Sequence, residues 1–207
     1  MEGQGRKQHW ENIYQTKDFK DVSWYQEKPE TSLEFLQKFN VPLDAKIIDC
    51  GGGDSYFVDN LLSLGYQDIT VLDISEKALD RAKQRLGDQA SKVNWIVSDA
   101  TSFQPSDKYD FWHDRAVFHF LQDNEVAQYL DTIKANLNPN GHLVVGTFSV
   151  NGPTKCSGIT ITQYSEKSLS EKIEKYLKKI YCFTVDHLTP SKSVQNFVFC
   201  SFQNQLG

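Results

Sequence analysis

The sequence predicts an α/β fold: a seven-stranded sheet, mostly parallel, with helices on both faces and an antiparallel strand supplied by a C-terminal hairpin. Three observations predict it. Short β-rich runs alternate with longer stretches of helical periodicity, the pattern of a parallel sheet covered on both sides. The first of these runs ends in three consecutive glycines, and the next two lead to aspartates, at the strand ends where open sheets bind ligands. At the end of the chain two β-rich runs stand with no helix between them, so one must run antiparallel to the rest.

The first strand is Lys46–Cys50, followed by Gly51-Gly52-Gly53. A helix comes next: Asp54 or Ser55 can cap it, and Phe57, Val58, Leu61 and Leu62 form its inward stripe until Gly65 stops it. The second strand, Ile69–Asp73, leads to a helix capped by Ser75, with Ala78, Leu79, Ala82 and Leu86 facing the sheet up to Gly87. The third strand is Val93–Val97, reaching Asp99, and the fourth is Tyr109–Asp114. A helix from about Asn124 carries Val126, Ala127, Leu130, Ile133 and Leu137. Asn138-Pro139-Asn140-Gly141 has the composition of a turn, and His142–Phe148 is the fifth strand.

Beyond it, Ser168–Lys179 reads as an amphipathic helix with Leu169, Ile173, Leu177 and Ile180 on one side. The runs Tyr181–Asp186 and Asn196–Phe202 form the hairpin. Upstream of the first strand, Thr31–Phe39 reads as a helix, and residues 8–28 as aromatic-rich and irregular. No repeat or linker divides the chain, so residues 1–207 form one domain, with a lid and helix region over 1–40 and the sheet core over 45–207.

Bulk properties narrow the function. A chain of 207 residues that is 39% hydrophobic and 24% charged can bury a real core. A formal net charge of −5, with lysines scattered among acids, argues against nucleic acid as partner. No run approaches a membrane span, and Met1 to Lys7 lacks the apolar stretch of a secretory signal, so the expected location is the cytoplasm. Cys50, Cys156, Cys182 and Cys200 show no metal-ligand spacing. They read as apolar fillers in a reducing compartment, and no metal is expected.

The strand ends carry the ligand chemistry. Gly51, Gly52 and Gly53 let backbone lie against a ligand. Asp73 can accept hydrogen bonds from both hydroxyls of a ribose, and Asp99, beside Ala100, from an adenine amino group. Each has a plainer reading, the glycines as turn formers and Asp73 as a cap for the following helix. A dinucleotide is disfavoured because Asp54, Ser55 and Tyr56 follow the glycines, where GxGxxG requires a third glycine.

Taken in order, Ile47–Asp54, Val71–Ser75, Ser98–Ala100 and Asn138–His142 resemble the class I S-adenosylmethionine-dependent methyltransferases, from about Trp10 to the last strand. The resemblance implies a Rossmann-like fold, methyl transfer, and S-adenosyl-L-methionine as cofactor. It also implies that Asp49 supports the glycine loop and the methionine amino group, and that the glycines pass under the cofactor. Asp73 and its neighbour Ile74 would hold the ribose side, and Asp99 and Ala100 the adenine. His113, at the end of the fourth strand, is counted with the cofactor contacts too.

In methyl transfer the protein must chiefly align a nucleophile with the carbon–sulfur bond; a base is needed only for a protonated acceptor. The polar cluster His113, Asp114, Arg115 and His119 faces that task. Either histidine can remove a proton, Asp114 can orient His113 or bind a cationic acceptor, and Arg115 can instead bind an anionic substrate. The same four residues also suit a network that only fixes the loop. Trp10, Tyr14, Trp24 and Tyr25 suit a lid that excludes water, or ordinary packing on the domain. The segment from Phe148 to Ser157 is long enough to line the pocket as well.

The N-terminal aromatics are similar to those of lysine methyltransferases of elongation factor 1A and citrate synthase, whereas Trp112-His113-Asp114-Arg115 departs from that subgroup. The leading expectation is a small-molecule acceptor. The alternatives are a protein-lysine acceptor and a non-catalytic S-adenosylmethionine-binding protein.

Overall fold

The computed structural model describes residues 3–205; Met1 and Glu2, part of the polar leading segment discussed above, and the last two residues lie outside the described residues. One sheet of seven strands organises the chain. In sequence order its elements are α1 (Gly3–Thr16), α2 (Glu30–Lys38), β1 (Lys46–Cys50), α3 (Phe57–Leu64), β2 (Asp68–Asp73), α4 (Glu76–Leu86), β3 (Val93–Val97), β4 (Tyr109–Arg115), α5 (Asp123–Asn136) and β5 (Leu137–Phe148). A short ribbon, β6 (Lys155–Cys156) with β7 (Ile159–Thr160), precedes α6 (Glu166–Ile173), β8 (Lys178–Leu188) and β9 (Val194–Gln203). The strand order is β3-β2-β1-β4-β5-β9-β8, with β9 antiparallel to both neighbours.

Alternation along the strands divides the core in two. Ile47, Val71, Phe111, Val144, Phe197 and Phe199 face α2, α3 and α4, where Leu36, Phe57, Leu61 and Leu79 complete the packing. Ile48, Leu72, Trp112, Val198 and Phe202 face α5 and α6, meeting Tyr129, Ile133, Leu169 and Ile173. Burying side chains of this size contributes about 1.5–3 kcal/mol each. Truncating fully buried Phe111 to alanine therefore removes one of the larger single terms, about 3–5 kcal/mol once the cavity is counted.

Local chemistry sets the element ends. Gly65 closes α3 at φ 94°, and the Ser75 hydroxyl accepts from Ala78 N at 3.2 Å to open α4. Asp54 and Ser55 lie ahead of α3, where the Ser55 hydroxyl accepts from Phe57 N at 3.1 Å.

Several expectations need correction. Residues 8–28 are not irregular throughout: α1 runs to Thr16, and a short 3₁₀ turn covers Phe19–Asp21. The turn chemistry of Asn138–Gly141 becomes a kink inside β5. Asn140 has φ 63°, pairing with β4 shifts register at Tyr109/Phe111, and Asn138 Nδ2 donates to Asp110 at 2.7 Å. Helix α6 is shorter than its periodicity suggests. It ends at Ile173, and Ile180 lies exposed on β8.

Cys182 and Cys200, read as free apolar fillers, are instead joined as a disulfide. They are register partners across β8 and β9, which brings their Cβ atoms to the separation a disulfide requires. Cys50 and Cys156 remain free and buried. No helix among the described residues is long and apolar enough to cross a membrane.

Candidate active site

A cavity of about 1060 Å³, counting its open mouth, lies beyond the carboxyl ends of β1, β2, β3 and β4.

The floor is the loop after β1. Gly51, at φ 71°, and Gly52 both donate their N–H to Leu72 O, at 2.7 and 3.2 Å, which folds the loop flat against β2. A Cβ on Gly52 would strike the Asp49 carboxylate and come within 2.8 Å of Val71, so the loop tolerates no side chain there. Gly53 does not line the cavity; its Cα faces the Tyr14 hydroxyl and the Asp73 carboxylate.

At the tip of β2, Asp73 and Ile74 line the cavity. Asp73 Oδ1 accepts from Ser75 N at 2.8 Å. Burial pushes its carboxyl up to about 7 against that hydrogen bond. Desolvation also raises Asp54 to about 7, although Arg81 lies 3.3 Å from it. At the tip of β3, Ser98, Asp99 and Ala100 line the cavity. The Asp99 carboxylate is already occupied. Oδ1 accepts from Thr101 N at 2.9 Å and from its hydroxyl at 2.8 Å, and Oδ2 pairs with Arg6 at 3.2 Å. The side chain expected to read adenine thus holds α1 in this structure.

Strand β4 separates its polar residues by face. His113 and Arg115 point to the α2 side and line the cavity; Asp114 points to the other and does not. His113 Nδ1 lies 2.7 Å from Asp49 Oδ1, and its Nε2 lies 2.9 Å from the Ser32 hydroxyl. A carboxylate only accepts, so Nδ1 carries the proton and Nε2 accepts from Ser32. Asp49, not Asp114, therefore orients His113. Asp114 Oδ1 accepts from Val117 N at 2.9 Å and Phe118 N at 3.3 Å, and burial raises its carboxyl to about 6. His119 is also buried away from the cavity. Its Nδ1 meets the Thr147 hydroxyl at 3.0 Å, its ring stacks on Phe148, and desolvation lowers it to about 3. A base that weak suits structure, not proton transfer near neutral pH.

Helix α1 closes the cavity from outside. Arg6, Trp10 and Tyr14, four residues apart, place one face of the helix over it. Arg6 pairs with Asp99 and, at 2.6 Å, with Glu125. Glu11 accepts from Glu76 N at 2.8 Å at the start of α4, while Arg81 of α4 donates to the Tyr14 and Lys17 carbonyls at the end of α1. Both contacts put charge at the helix end that favours it. Trp10 meets Phe120 at 5.3 Å and Trp24 at 6.0 Å between ring centroids, both edge to face. Phe148, Cys156 and Phe197 complete this aromatic compartment around Arg115. Tyr25 lies outside it, packed on Phe19 and Tyr56.

The residues fit the implied cofactor. A flat glycine floor, the Asp73 carboxylate at one end and an apolar slot of Ile74, Ala100 and Leu121 suit a nucleoside, while the Asp49 end suits an ammonium. Arg6, Ser32 and Phe197 escape a motif-based reading. Only Arg6 left a signal, its four-residue spacing from Trp10.

The comparisons agree with this architecture. A family model described as a methyltransferase domain matches residues 47–141. N-terminal Xaa-Pro-Lys N-methyltransferase 1 of Homo sapiens is 31% identical over 122 residues, covering 56% of this chain and 55% of its own. EEF1A lysine methyltransferase 2 of Mus musculus is 24% identical over 159 residues, covering 68% and 64% respectively. The chain spans about half the length of the first of these curated relatives. Among solved structures, the N-methyltransferase NodS from Bradyrhizobium japonicum, in complex with S-adenosyl-L-homocysteine, superposes with a TM-score of 0.75 at 18% identity, covering 96% of this chain and 97% of its own. A 1,6-didemethyltoxoflavin-N1-methyltransferase from Burkholderia thailandensis gives 0.77 at 17%, covering 98% and 89%. Both share the fold. Residues 47–141 match a methyltransferase domain, and with the ordered strand-tip motifs, the seven-stranded sheet and these relatives they support a place for the chain in the class I S-adenosylmethionine-dependent methyltransferase family.

Proposed function

We propose that this chain transfers the methyl group of S-adenosylmethionine to a small-molecule acceptor held in the aromatic compartment beside Arg115. The observation that carries the reading is the docking of α1, whose Trp10 and Tyr14 line the cavity and narrow its mouth, which favours a small acceptor over a polypeptide. When bound, the cofactor supplies a methyl group on a sulfonium whose leaving group is a neutral thioether. Asp73 holds the ribose hydroxyls through Oδ2. Asp49, fixed by His113, faces the methionine ammonium. The glycine floor and Ile74 position the nucleoside. Trp10, Trp24 and Phe120 exclude water and orient the acceptor, so catalysis rests on alignment.

Calorimetry with S-adenosylhomocysteine, followed by incubation of labelled cofactor with a metabolite extract and separately with a proteome, tests this. Label in the low-mass fraction is expected. Label confined to macromolecules would transfer the proposal to a protein acceptor, which the names of the curated relatives favour.

A further inference from the structure

Three of the four arginines end on carboxylates: Arg6 on Asp99 and Glu125, Arg81 on Asp54, and Arg85 on Asp59. Arg115 has no such partner among the described residues. Its Nη1 donates to the Trp24 carbonyl at 3.2 Å, and its guanidinium lies 5.0 Å from the Phe197 ring. It lines the cavity among Trp24, Phe148, Cys156 and Phe197. Asp49 shares its sheet face but is held by His113 and makes no ion pair with it.

Arg115 is half-buried, and a guanidinium in apolar surroundings without a counter-charge at hand favours an anion; one carbonyl leaves most of its five donors open to a ligand. Its planar fork matches a carboxylate in two-point contact, and aromatic walls suit a flat apolar body. Burial lowers Arg115 only to about 10, so it remains a cation throughout the neutral range.

We infer that the methyl acceptor is a flat, apolar-bodied anion whose carboxylate or similar planar oxyanion pairs with Arg115. This rests on the methyl-transfer reading above. The cofactor's own methionine carboxylate offers the same chemistry. Arg115 nevertheless touches Trp24 and Phe197 of β9, away from the β1–β3 tips that cradle a nucleoside. Arg115 is thus a specificity-determining residue for the acceptor.

The test uses the complex with saturating S-adenosylhomocysteine, titrated with benzoate and with neutral benzamide, following the fluorescence of the wall tryptophans Trp10 and Trp24. Benzoate is expected to bind at least about tenfold more tightly than benzamide. Arg115→Met should abolish that preference while leaving S-adenosylhomocysteine affinity within about threefold. Equal binding of the two probes to the wild-type complex overturns the inference, and this arm needs no variant to fold. A variant that keeps the benzoate preference but loses about tenfold or more in S-adenosylhomocysteine affinity overturns it too, assigning Arg115 to the cofactor. Failure of the wild-type protein to bind S-adenosylhomocysteine at all sinks the methyl-transfer reading itself, a result separate from the loss of benzoate preference alone.

Discussion

His113 and Asp49, 64 residues apart in the chain, share a 2.7 Å hydrogen bond on the floor of the cavity. Adjacent parallel strands make it possible, because Asp49 of β1 and His113 of β4 are register partners. The bond fixes the carboxylate under Gly52 and turns the far ring nitrogen toward Ser32. Asp49→Ala should leave the ring N–H buried without a partner, at a cost of about 1–3 kcal/mol. Thermal unfolding should then fall by several degrees, and S-adenosylhomocysteine affinity should drop with it. An unchanged melting temperature would contradict this account. Ser32→Ala removes a weaker, neutral hydrogen bond and should shift melting less.

Arg6 is the latch of the lid, since among the described residues it alone ties α1 to both the β3 tip and α5. Arg6→Ala should leave the core intact, because α1 contributes little to either hydrophobic cluster. It should increase opening of α1, read as faster tryptic cleavage after Lys17 and weaker binding of S-adenosylhomocysteine by about tenfold. Cleavage at the wild-type rate would mean that Glu11 and Arg81 hold the helix unaided.

Much of this architecture was legible in the sequence because its determinants are local. Buried strand runs, Gly65 as a stop and Ser75 as a cap announce themselves within a few residues. Of the candidate site, the sequence picks out the tips, where glycine and aspartate sit at fixed offsets from strand ends; Gly51, Gly52, Asp73 and Asp99 line the cavity and Gly53 does not. The site was misread on β4, where adjacency hid geometry. His113, Asp114 and Arg115 look like one cluster, yet the two-residue period of a strand puts Asp114 behind the sheet with Trp112. Ser32 could not be found, since its partner is 81 residues away and only the docking of α2 brings them together. The Cys182–Cys200 pairing likewise follows from hairpin register and not from spacing.

Asp73 should make cofactor binding depend on pH. Burial raises its carboxyl to about 7, and the proposed acceptance from ribose hydroxyls favours the ionised form. S-adenosylhomocysteine should therefore bind more tightly as pH rises through 7, and lose up to about tenfold per unit below it. Asp73→Asn should bind weakly with a flat profile over that range. Asp54, also near 7 but outside the cavity lining, repels Asp73 and helps to raise it, so Asp54→Asn should keep the fall in affinity but move it to lower pH.

Asp114 predicts the opposite kind of dependence, in stability and not in binding. It lies fully buried behind the sheet, accepting from Val117 and Phe118, and desolvation holds its carboxyl at about 6 against an ordinary value of 3.8. A carboxyl raised by folding stabilises the protein in full below the unfolded value, and that contribution is lost as pH rises through the folded one. Between about pH 4 and 6 the group should lower stability by up to about 1.4 kcal/mol per pH unit. His119, lowered to about 3, works in the other direction, because its contribution is lost as pH falls below 6.5. The clean measurement is therefore a difference. Urea unfolding of the wild type and of Asp114→Asn, compared at successive pH values, cancels His119 and the other carboxyls. The amide oxygen can still accept from the two backbone N–H groups, so the variant should fold. Its stability relative to the wild type should rise from pH 4 to pH 6 and level off above. A difference that stays constant over that interval would mean that Asp114 is ionised in the folded protein at acid pH, with Val117 and Phe118 outweighing its burial.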